Sequence, residues 1–164
     1  MALYPGAGGA EGGWTAGLMR ITRYTDYALR VLIQLALQPR RLTIADMARA
    51  YGISRHHLTK VVHQLQRLGY VETQRGQTGG VRLARPAADI RVGKVVRDME
   101  PDLALVECFH GEDRCAITPY CELRVVFEQG LRRFLETLDG YTLEDMVRGE
   151  RRQLIRILEP PSFG

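Results

Sequence analysis

The stretch from Thr43 to Arg85 constrains the fold more than any other part of this chain. It contains a short helical pattern, a turn at Gly52, a longer helical pattern that ends at Gly69, and then a glycine-rich hairpin pattern. Thr43 and Ser54 occupy the N-cap positions of the two helices, and Gly69 stands where a glycine commonly ends a helix. Two helices joined by a tight glycine turn form a helix-turn-helix.

The hairpin pattern extends this unit. Two β-prone stretches, Tyr70–Gln74 and Val81–Ala84, are separated by RGQTGG, whose glycines can adopt positive φ in a tight turn. Arg75 at the tip and Arg82 on the return strand make this hairpin basic, which suits contact with phosphates or the minor groove. A further helix is predicted ahead of the unit, with Thr25 as its N-cap and Pro39 as its stop.

Charge supports a polyanionic partner for this half of the chain. From Met19 to Pro86, twelve Arg or Lys stand against three Asp or Glu, a net charge of +9. The remaining residues carry eleven basic and sixteen acidic side chains, a net charge of −5. Such an asymmetry indicates that the first half binds DNA and the second half does not. The residues predicted to contact DNA are Ser54, Arg55, His56, His57, Lys60, Arg75, Gly79 and Arg82.

Within that set the residue types favour different roles. The first turns of the second helix of a helix-turn-helix enter the major groove. Arg55 is predicted to bind guanine because its planar fork matches O6 and N7. Lys60 is predicted to contact phosphate.

The acidic half is predicted to be helical around one loop. An amphipathic helix is expected from Asp89 to Glu100, and a last helix is expected to begin with Thr142 and Asp145 as a capping box. Between them, Thr118 is predicted to cap a long helix that runs to Leu138. Its apolar stripe is expected to pack against a second copy of the chain, with packing inside one chain as the alternative. The stripe consists of Leu123, Phe127, Leu131, Phe134 and Leu138.

All three cysteines of the chain lie in the loop before that helix or at its start, as Cys108, Cys115 and Cys121. An odd set cannot close entirely into disulfides, and in a reducing cytosol clustered cysteines are more often metal ligands. The C-x6-C-x5-C spacing is wider than that of zinc ribbons and matches no ferredoxin run, which suggests a loop around an iron–sulfur cluster. Cys121 is expected in the first helical turn, where the helix dipole stabilises a thiolate.

Five segments, in order, carry a resemblance to a known family. They are RITRYTDYALR, YGISRHHLTKVVHQL, RGQTGGVRLARP, AITPYCELR and LDGYTLEDMV. With them, the region from Met19 to about Val147 resembles the bacterial iron–sulfur winged-helix repressors, and most of all the branch that senses nitric oxide. The branch that regulates cluster biogenesis has a histidine three residues beyond its last cysteine, where this chain has Arg124.

The resemblance implies a homodimer that binds a two-fold DNA operator and carries one [4Fe–4S] or [2Fe–2S] cluster per subunit. Nitrosylation of the cluster would relieve repression of nitric-oxide detoxification genes. It also implies that Asp26 of the partner subunit is the fourth ligand beside the three cysteines; His110 and Asp113 are the rivals. One departure is that six residues, rather than the commoner four, separate Cys108 from Cys115.

Three alternatives stay open. A regulator of the same family could respond to iron–sulfur status or to peroxide instead of nitric oxide. The cysteines could hold a structural zinc ion together with His110. An enzyme or electron carrier is disfavoured, because the folded region has neither a glycine-rich phosphate loop nor a defensible Ser-His-Asp arrangement.

The predicted organisation is therefore mainly α, a winged helix-turn-helix with a small β-hairpin wing and a long C-terminal dimerisation helix. Residues 1–18 are predicted to be a disordered extension, with Met19 as an alternative start. Residues 19–87 form the DNA-binding domain, 88–147 the cluster-binding loop and dimerisation helices, and 148–164 a C-terminal tail. The chain has no apolar run long enough for a membrane span and no secretory signal, so the bacterial cytoplasm is expected.

Overall fold

The computed structural model describes residues 21–76, 79–110 and 115–158. The predictions for residues 1–18, for the Met19 start and for Asp113 lie outside that part. Within it the chain is mainly α, as predicted, with seven α-helices and one antiparallel β-hairpin. The elements are α1 (Arg23–Leu37), α2 (Ile44–Tyr51), α3 (Arg55–Arg67), β1 (Val71–Gln74), β2 (Gly80–Leu83), α4 (Val92–Met99), α5 (Glu122–Asp139), α6 (Leu143–Arg148) and α7 (Arg151–Leu158).

The helix-turn-helix is formed by α2 and α3, and its predicted capping residues are confirmed. The Thr43 side chain accepts a hydrogen bond from the backbone N–H of Asp46, and the Ser54 side chain accepts one from that of His57. Gly52 ends α2 in the left-handed region at φ 63°, and Gly69 follows α3 at φ 73°. Both turns therefore use the conformation that glycine adopts without steric cost.

The start of α1 differs from the prediction. Thr22, not Thr25, is the N-cap, and its side chain accepts a hydrogen bond from the Thr25 N–H. Thr25 is fully buried in the first turn, where its hydroxyl donates to Glu100 at 2.6 Å. Both threonines suit an N-cap by type, and both hydroxyls donate to Glu100, so residue type alone does not distinguish them.

The hairpin forms the predicted wing. β1 and β2 pair antiparallel, with Val71 opposite Leu83 and Gln74 opposite Gly80. Gly80 has a φ of 149°, whereas Gly79 serves a different purpose. A Cβ at Gly79 would lie 2.4 Å from the backbone oxygen of Gln74, so only glycine allows the two strands to approach here.

The helix expected from Asp89 begins later, as α4 at Val92. The preceding Arg91 is extended and forms an isolated bridge with Thr142, which delays the helix. The apolar face of α4 is buried as predicted: its members are Val92, Val95, Val96 and Met99.

The start of the long helix was also predicted wrongly. Thr118–Tyr120 is a separate 3₁₀ turn, and α5 begins after Cys121, which is its N-cap and not a residue of its first turn. Gly140 is the C-cap of α5. The last predicted helix, α6, has the full capping box between Thr142 and Asp145.

One core joins these elements. It contains the buried faces of α1, α2 and α3, the base of the wing, α4, and Leu143 of α6. A smaller cluster lies where α7 packs on α1, around Leu37, Val147 and Leu158. Among the described helices, none is both long and apolar enough to span a membrane.

Candidate DNA interface and cysteine site

The first turns of α3 present the polar side chains that the sequence analysis selected. Ser54, Arg55, His56 and His57 are exposed, as is Lys60 one turn later. No acidic residue occupies the first turn of α3, so its positive helix end remains available to an anion. This end of the helix therefore combines charge, hydrogen-bond donors and exposure, which are the properties that contact with DNA requires.

Two further residues share that face and were missed. Thr59 and His63 are exposed and lie three and seven residues after His56, which places them on the side of α3 opposite its buried stripe. Helical spacing from His56 would have found both, because positions three, four and seven residues apart share one helix face.

Helix α3, the second or recognition helix of the helix-turn-helix, is also held from α1. The Tyr24 hydroxyl donates a hydrogen bond to the backbone oxygen of Lys60 at 2.9 Å. Desolvation raises the pKa of Tyr24, against the opposing charge of Arg67, so the hydroxyl remains a donor at neutral pH. No sequence pattern pointed to this contact, because Tyr24 and Lys60 are 36 residues apart.

The two wing arginines have different surroundings. Arg75 at the tip is exposed. Arg82 pairs with Glu72 on the opposite strand, and Glu72 also pairs with Arg41 at 2.8 Å. Hydrogen bonds from Arg82 and then Arg41 lower the pKa of Glu72, so this carboxylate stays charged and partly neutralises Arg82. Of the two wing arginines, Arg82 is therefore partly neutralised, whereas Arg75 is exposed at the tip.

The three cysteines lie in one segment between α4 and α5. Cys108 is in a 3₁₀ turn and half-buried, Cys115 is exposed, and Cys121 is half-buried at the start of α5. Residues 111–114 between the first two are outside the described part, as is the side chain of His110. Among the described residues, no group of three or more His, Cys, Asp or Glu side chains is close enough to hold a metal ion.

The donor chemistry of this segment nevertheless fits an iron–sulfur cluster. Cysteine sulfurs are the usual ligands of such clusters, and three cysteines are present within one loop and the helix start that follows it. Cys121 makes no side-chain capping hydrogen bond to α5. The first N–H groups of α5 are therefore not capped by its side chain, and a helix N-terminus of this kind favours an anionic group.

Asp26 lies apart from this segment, in the first turn of α1. Its side chain is 43% exposed and forms an ion pair with Arg30 at 2.8 Å. An exposed pair of this type stabilises a helix only weakly, so Asp26 can exchange Arg30 for another partner at little cost.

One face of α5 is apolar and uncovered. No residue of α5 is buried, although the helix packs along α4. The predicted stripe is divided: Leu131 and Leu138 are half-buried, whereas Leu123 is 60% exposed and Phe134 44%. Val126, 61% exposed, lies with the latter pair. Helical spacing puts Gly130 between them, so this face offers apolar side chains and a close approach to the helix backbone.

The chain resembles known transcriptional regulators over most of its length. Residues 21–149 match the Rrf2 family, described as "Iron-dependent Transcriptional regulator". The "HTH-type transcriptional regulator NsrR" of Geobacillus kaustophilus is 47% identical over 84% of this chain and 97% of its own length. The protein of the same name from Bacillus licheniformis is 46% identical over 80% of this chain and 94% of its own length.

Solved structures agree with the fold. The "T. potens IscR" structure superposes with a TM-score of 0.64 at 25% identity, over 79% of this chain and 86% of that one. "CymR (YrzC) the Global Cysteine Regulator of B. subtilis" superposes with a TM-score of 0.62 at 26% identity, over 80% of this chain and 98% of that one.

Proposed function

The chain belongs to the Rrf2 family of transcriptional regulators, and from that membership we propose that it is a homodimeric repressor that senses nitric oxide through an iron–sulfur cluster. As a member of this family it is a DNA-binding transcriptional repressor. The observation that carries the sensing proposal is the placement of all three cysteines in one segment before α5, with Cys121 at a helix start that its side chain leaves uncapped. The regulators named NsrR, at 46–47% identity, support nitric oxide as the signal.

The DNA-binding step uses α3 and the wing. In a dimer, two copies of α3 would enter successive major grooves about 34 Å apart, which matches a two-fold operator. Arg55, His56 and His57 are exposed at the start of α3 and are proposed to contact base edges and nearby phosphates. Lys60, Arg75 and Arg82 are proposed to contact phosphate or the minor groove, and Ser54 and Gly79 are proposed to contact DNA beside them.

The sensing site would use Cys108, Cys115 and Cys121 of one subunit and Asp26 of the partner subunit as ligands. When bound, an iron–sulfur cluster supplies iron that reacts with nitric oxide. A carboxylate is a harder and weaker ligand for iron than a thiolate, so Asp26 would leave one corner more open to attack. Because Asp26 lies on α1, which packs against α3, its release would alter the support of the recognition helix.

The dimer would be built on α5. Its face of Leu123, Val126 and Phe134 is exposed in the single chain. Burying apolar area of this kind stabilises association at roughly 25 cal/mol per Å² before the costs of binding are subtracted. We further infer that the protein acts on chromosomal DNA in the bacterial cytoplasm and has no catalytic turnover, as its relatives are named for regulation.

The test is the visible spectrum with the iron and sulfide content of the full chain, purified without air. Operator affinity is then measured before and after stoichiometric nitric oxide, on a duplex that the wild-type protein selects from random DNA. We expect a brown protein with near-equal iron and sulfide whose absorption bleaches as operator affinity falls. A matched preparation treated with air-free buffer alone is the control.

Other outcomes would change the proposal. A colourless protein with one zinc ion per chain would contradict the cluster. A brown protein whose operator affinity responds to peroxide or iron starvation but not to nitric oxide would contradict the signal. Loss of iron in Cys108→Ser, with the fold intact by circular dichroism, is expected if this cysteine is a ligand.

A further inference from the structure

The first turn of α1 contacts two functional regions of the molecule at once. On one side it meets Glu100, the C-cap of α4 and the last residue before the segment that carries the cysteines. On the other side it meets α3, the recognition helix. A short piece of helix with both contacts can pass a displacement from one region to the other.

The contact with Glu100 is made by three hydrogen bonds to one carboxylate oxygen. Oε2 of Glu100 accepts from the Thr22 N–H at 3.2 Å, the Thr22 hydroxyl at 3.1 Å and the Thr25 hydroxyl at 2.6 Å. A carboxylate at the N-terminus of a helix is also favoured by the helix dipole. Hydrogen bonds to a charged group are stronger than neutral ones, so Glu100 fixes this turn firmly to the end of α4.

The contact with α3 is made by Tyr24, which lies between the two threonines. Its hydroxyl donates to the backbone oxygen of Lys60, among the residues proposed to contact DNA. This bond joins backbone to side chain, so it sets the position of α3 as a whole and does not orient one side chain alone.

We propose that Glu100 and Tyr24 are positioning residues for DNA binding. Glu100 holds the first turn of α1 to the end of α4, where the segment that carries the cysteines begins. Tyr24 holds the recognition helix to that turn. Asp26, the proposed fourth ligand, lies in this same turn. The part of the proposal that links operator affinity to the cluster therefore rests on the proposed function. The contacts themselves belong to one chain and act with or without a cluster.

A double-mutant cycle tests the coupling. Operator affinity is measured for Tyr24→Phe, Glu100→Ala and the double variant on the duplex selected by the wild-type protein, for the cluster-loaded chain and for the chain stripped with a chelator. Loss of one hydrogen bond changes an equilibrium by about 2- to 12-fold, so we expect cluster-loaded Tyr24→Phe to bind that much more weakly. Glu100→Ala removes three hydrogen bonds, so its loaded form should lose at least as much affinity. The two residues act one after the other along the same chain of contacts. The operator affinity of the double variant should therefore be only slightly lower than that of the single variant that binds more weakly.

Two controls separate positioning from general damage. Tyr51→Phe removes a bond of the same kind, since the Tyr51 hydroxyl donates to the backbone oxygen of Arg30 at 2.9 Å, but this bond does not reach α3. Its operator affinity should match wild type. Glu100→Gln keeps an acceptor oxygen and should recover most of the affinity that Glu100→Ala loses.

The ratio of loaded to stripped affinity is the readout that a purely structural role would not move. Tyr24→Phe should lower this ratio while the iron content and the salt slope of binding stay as in wild type. Additive losses in both forms of the protein, or equal losses in Tyr51→Phe, would overturn the proposal. If wild type binds equally well with and without its cluster, the sensing function fails, and the cycle in the stripped protein still decides the coupling.

Discussion

At the scale of single residues, arginines of equal charge differ in what surrounds them. Arg55 is exposed at the start of α3, whereas Arg82 is paired with Glu72 and Arg148 lies on α6 beside Glu144. Only a side chain that can reach a base edge contributes to sequence preference, while any accessible cation contributes to general affinity. The structure thus separates residues that a count of charges treats alike.

Arg55→Ala should weaken binding to the selected operator by about 1–3 kcal/mol, because a bidentate contact with guanine is lost. Binding to an unrelated duplex should fall much less. The measurement is fluorescence anisotropy with both duplexes at one salt concentration. Arg148→Ala removes the same charge from α6 and should leave the ratio of the two affinities unchanged. Equal losses on both duplexes would mean that Arg55 contacts phosphate alone.

Tyr70 is a second residue with a defined role, in the base of the wing. It is buried, its hydroxyl donates to Asp98 at 2.5 Å, and Arg85 stacks over its ring at 4.8 Å. Desolvation raises the pKa of Asp98, but hydrogen bonds from Tyr70 and Lys94 outweigh it and hold this pKa below its usual value. The ionised form of Asp98 therefore stabilises the fold.

Tyr70→Phe should lower the free energy of unfolding by about 1–3 kcal/mol at pH 7, because a charged hydrogen bond is lost. A depressed carboxyl pKa gives stability that is present above about pH 4 and is lost as pH falls through the lower folded pKa. The difference between wild type and variant should therefore shrink toward pH 2. Urea unfolding at both pH values measures it.

The control for that series is Tyr141→Phe, because Tyr141 is half exposed at 50%. Its stability should stay within about 0.5 kcal/mol of wild type at either pH. A difference for Tyr70→Phe that does not depend on pH would show that the hydroxyl contributes without its charged partner.

At the scale of elements, the sequence predicted which helices exist better than where they begin. The caps Ser54 and Thr142 were predicted correctly because their chemistry is local. Each side chain accepts a hydrogen bond from the backbone N–H three residues later in the chain. Thr25 and Thr118 have the same chemistry but do not cap helices. The Thr25 hydroxyl donates a hydrogen bond to Glu100, 75 residues away, and Thr118 begins a separate 3₁₀ turn. Contacts over such distances leave no local pattern.

The C-terminal helix α7 is the element that the sequence analysis did not place. Its sequence is rich in charged residues, and its few apolar residues become buried only by packing against the end of α1. Arg151 adds to this contact by donating to the backbone oxygen of Leu37 at 2.8 Å, where α1 ends. The helix thus covers the C-terminus of α1 and a small apolar cluster beside it.

Leu158→Ala should lower the free energy of unfolding by about 2–4 kcal/mol, because this side chain is only 6% exposed in the cluster with Leu37. The neighbouring Ile157 is 68% exposed and provides the matched control. Ile157→Ala should change stability by less than about 0.5 kcal/mol. Urea unfolding of both variants makes the comparison, and equal effects would mean that α7 does not dock on α1 in solution.

At the scale of the whole molecule, the candidate site was predictable only in part. The chemistry of Cys108, Cys115 and Cys121 indicated a cluster, and exposure on α3 agrees with the predicted DNA face. The arrangement of the cysteines around a cluster, and the role of Asp26, stay predictions. In the proposal Asp26 comes from a partner subunit, and the pattern of a single chain does not state how two copies would meet.

The apolar face of α5 is the surface on which that meeting should occur. Leu123, Val126 and Phe134 remain exposed on one side of this helix while α4 covers another. Val125 belongs to the same helix and is 44% exposed, but it lies on the side turned away from these three residues. An aspartate at Leu123 and an aspartate at Val125 therefore show whether this face binds a second copy or is an ordinary exposed surface.

Leu123→Asp should convert the proposed dimer to a monomer, because a carboxylate on this face would be buried without a partner, at a cost of several kcal/mol. Val125→Asp should remain dimeric. Sedimentation velocity of the stripped protein gives the mass of each variant without reference to the cluster. Operator affinity should fall in the monomer, since a single subunit then binds one half-site without a second subunit on the other half-site. If wild type and Leu123→Asp both sediment as dimers, the two copies meet on another surface. If wild type sediments as a monomer, the proposed dimer is wrong, and the supply of Asp26 from a partner loses its support.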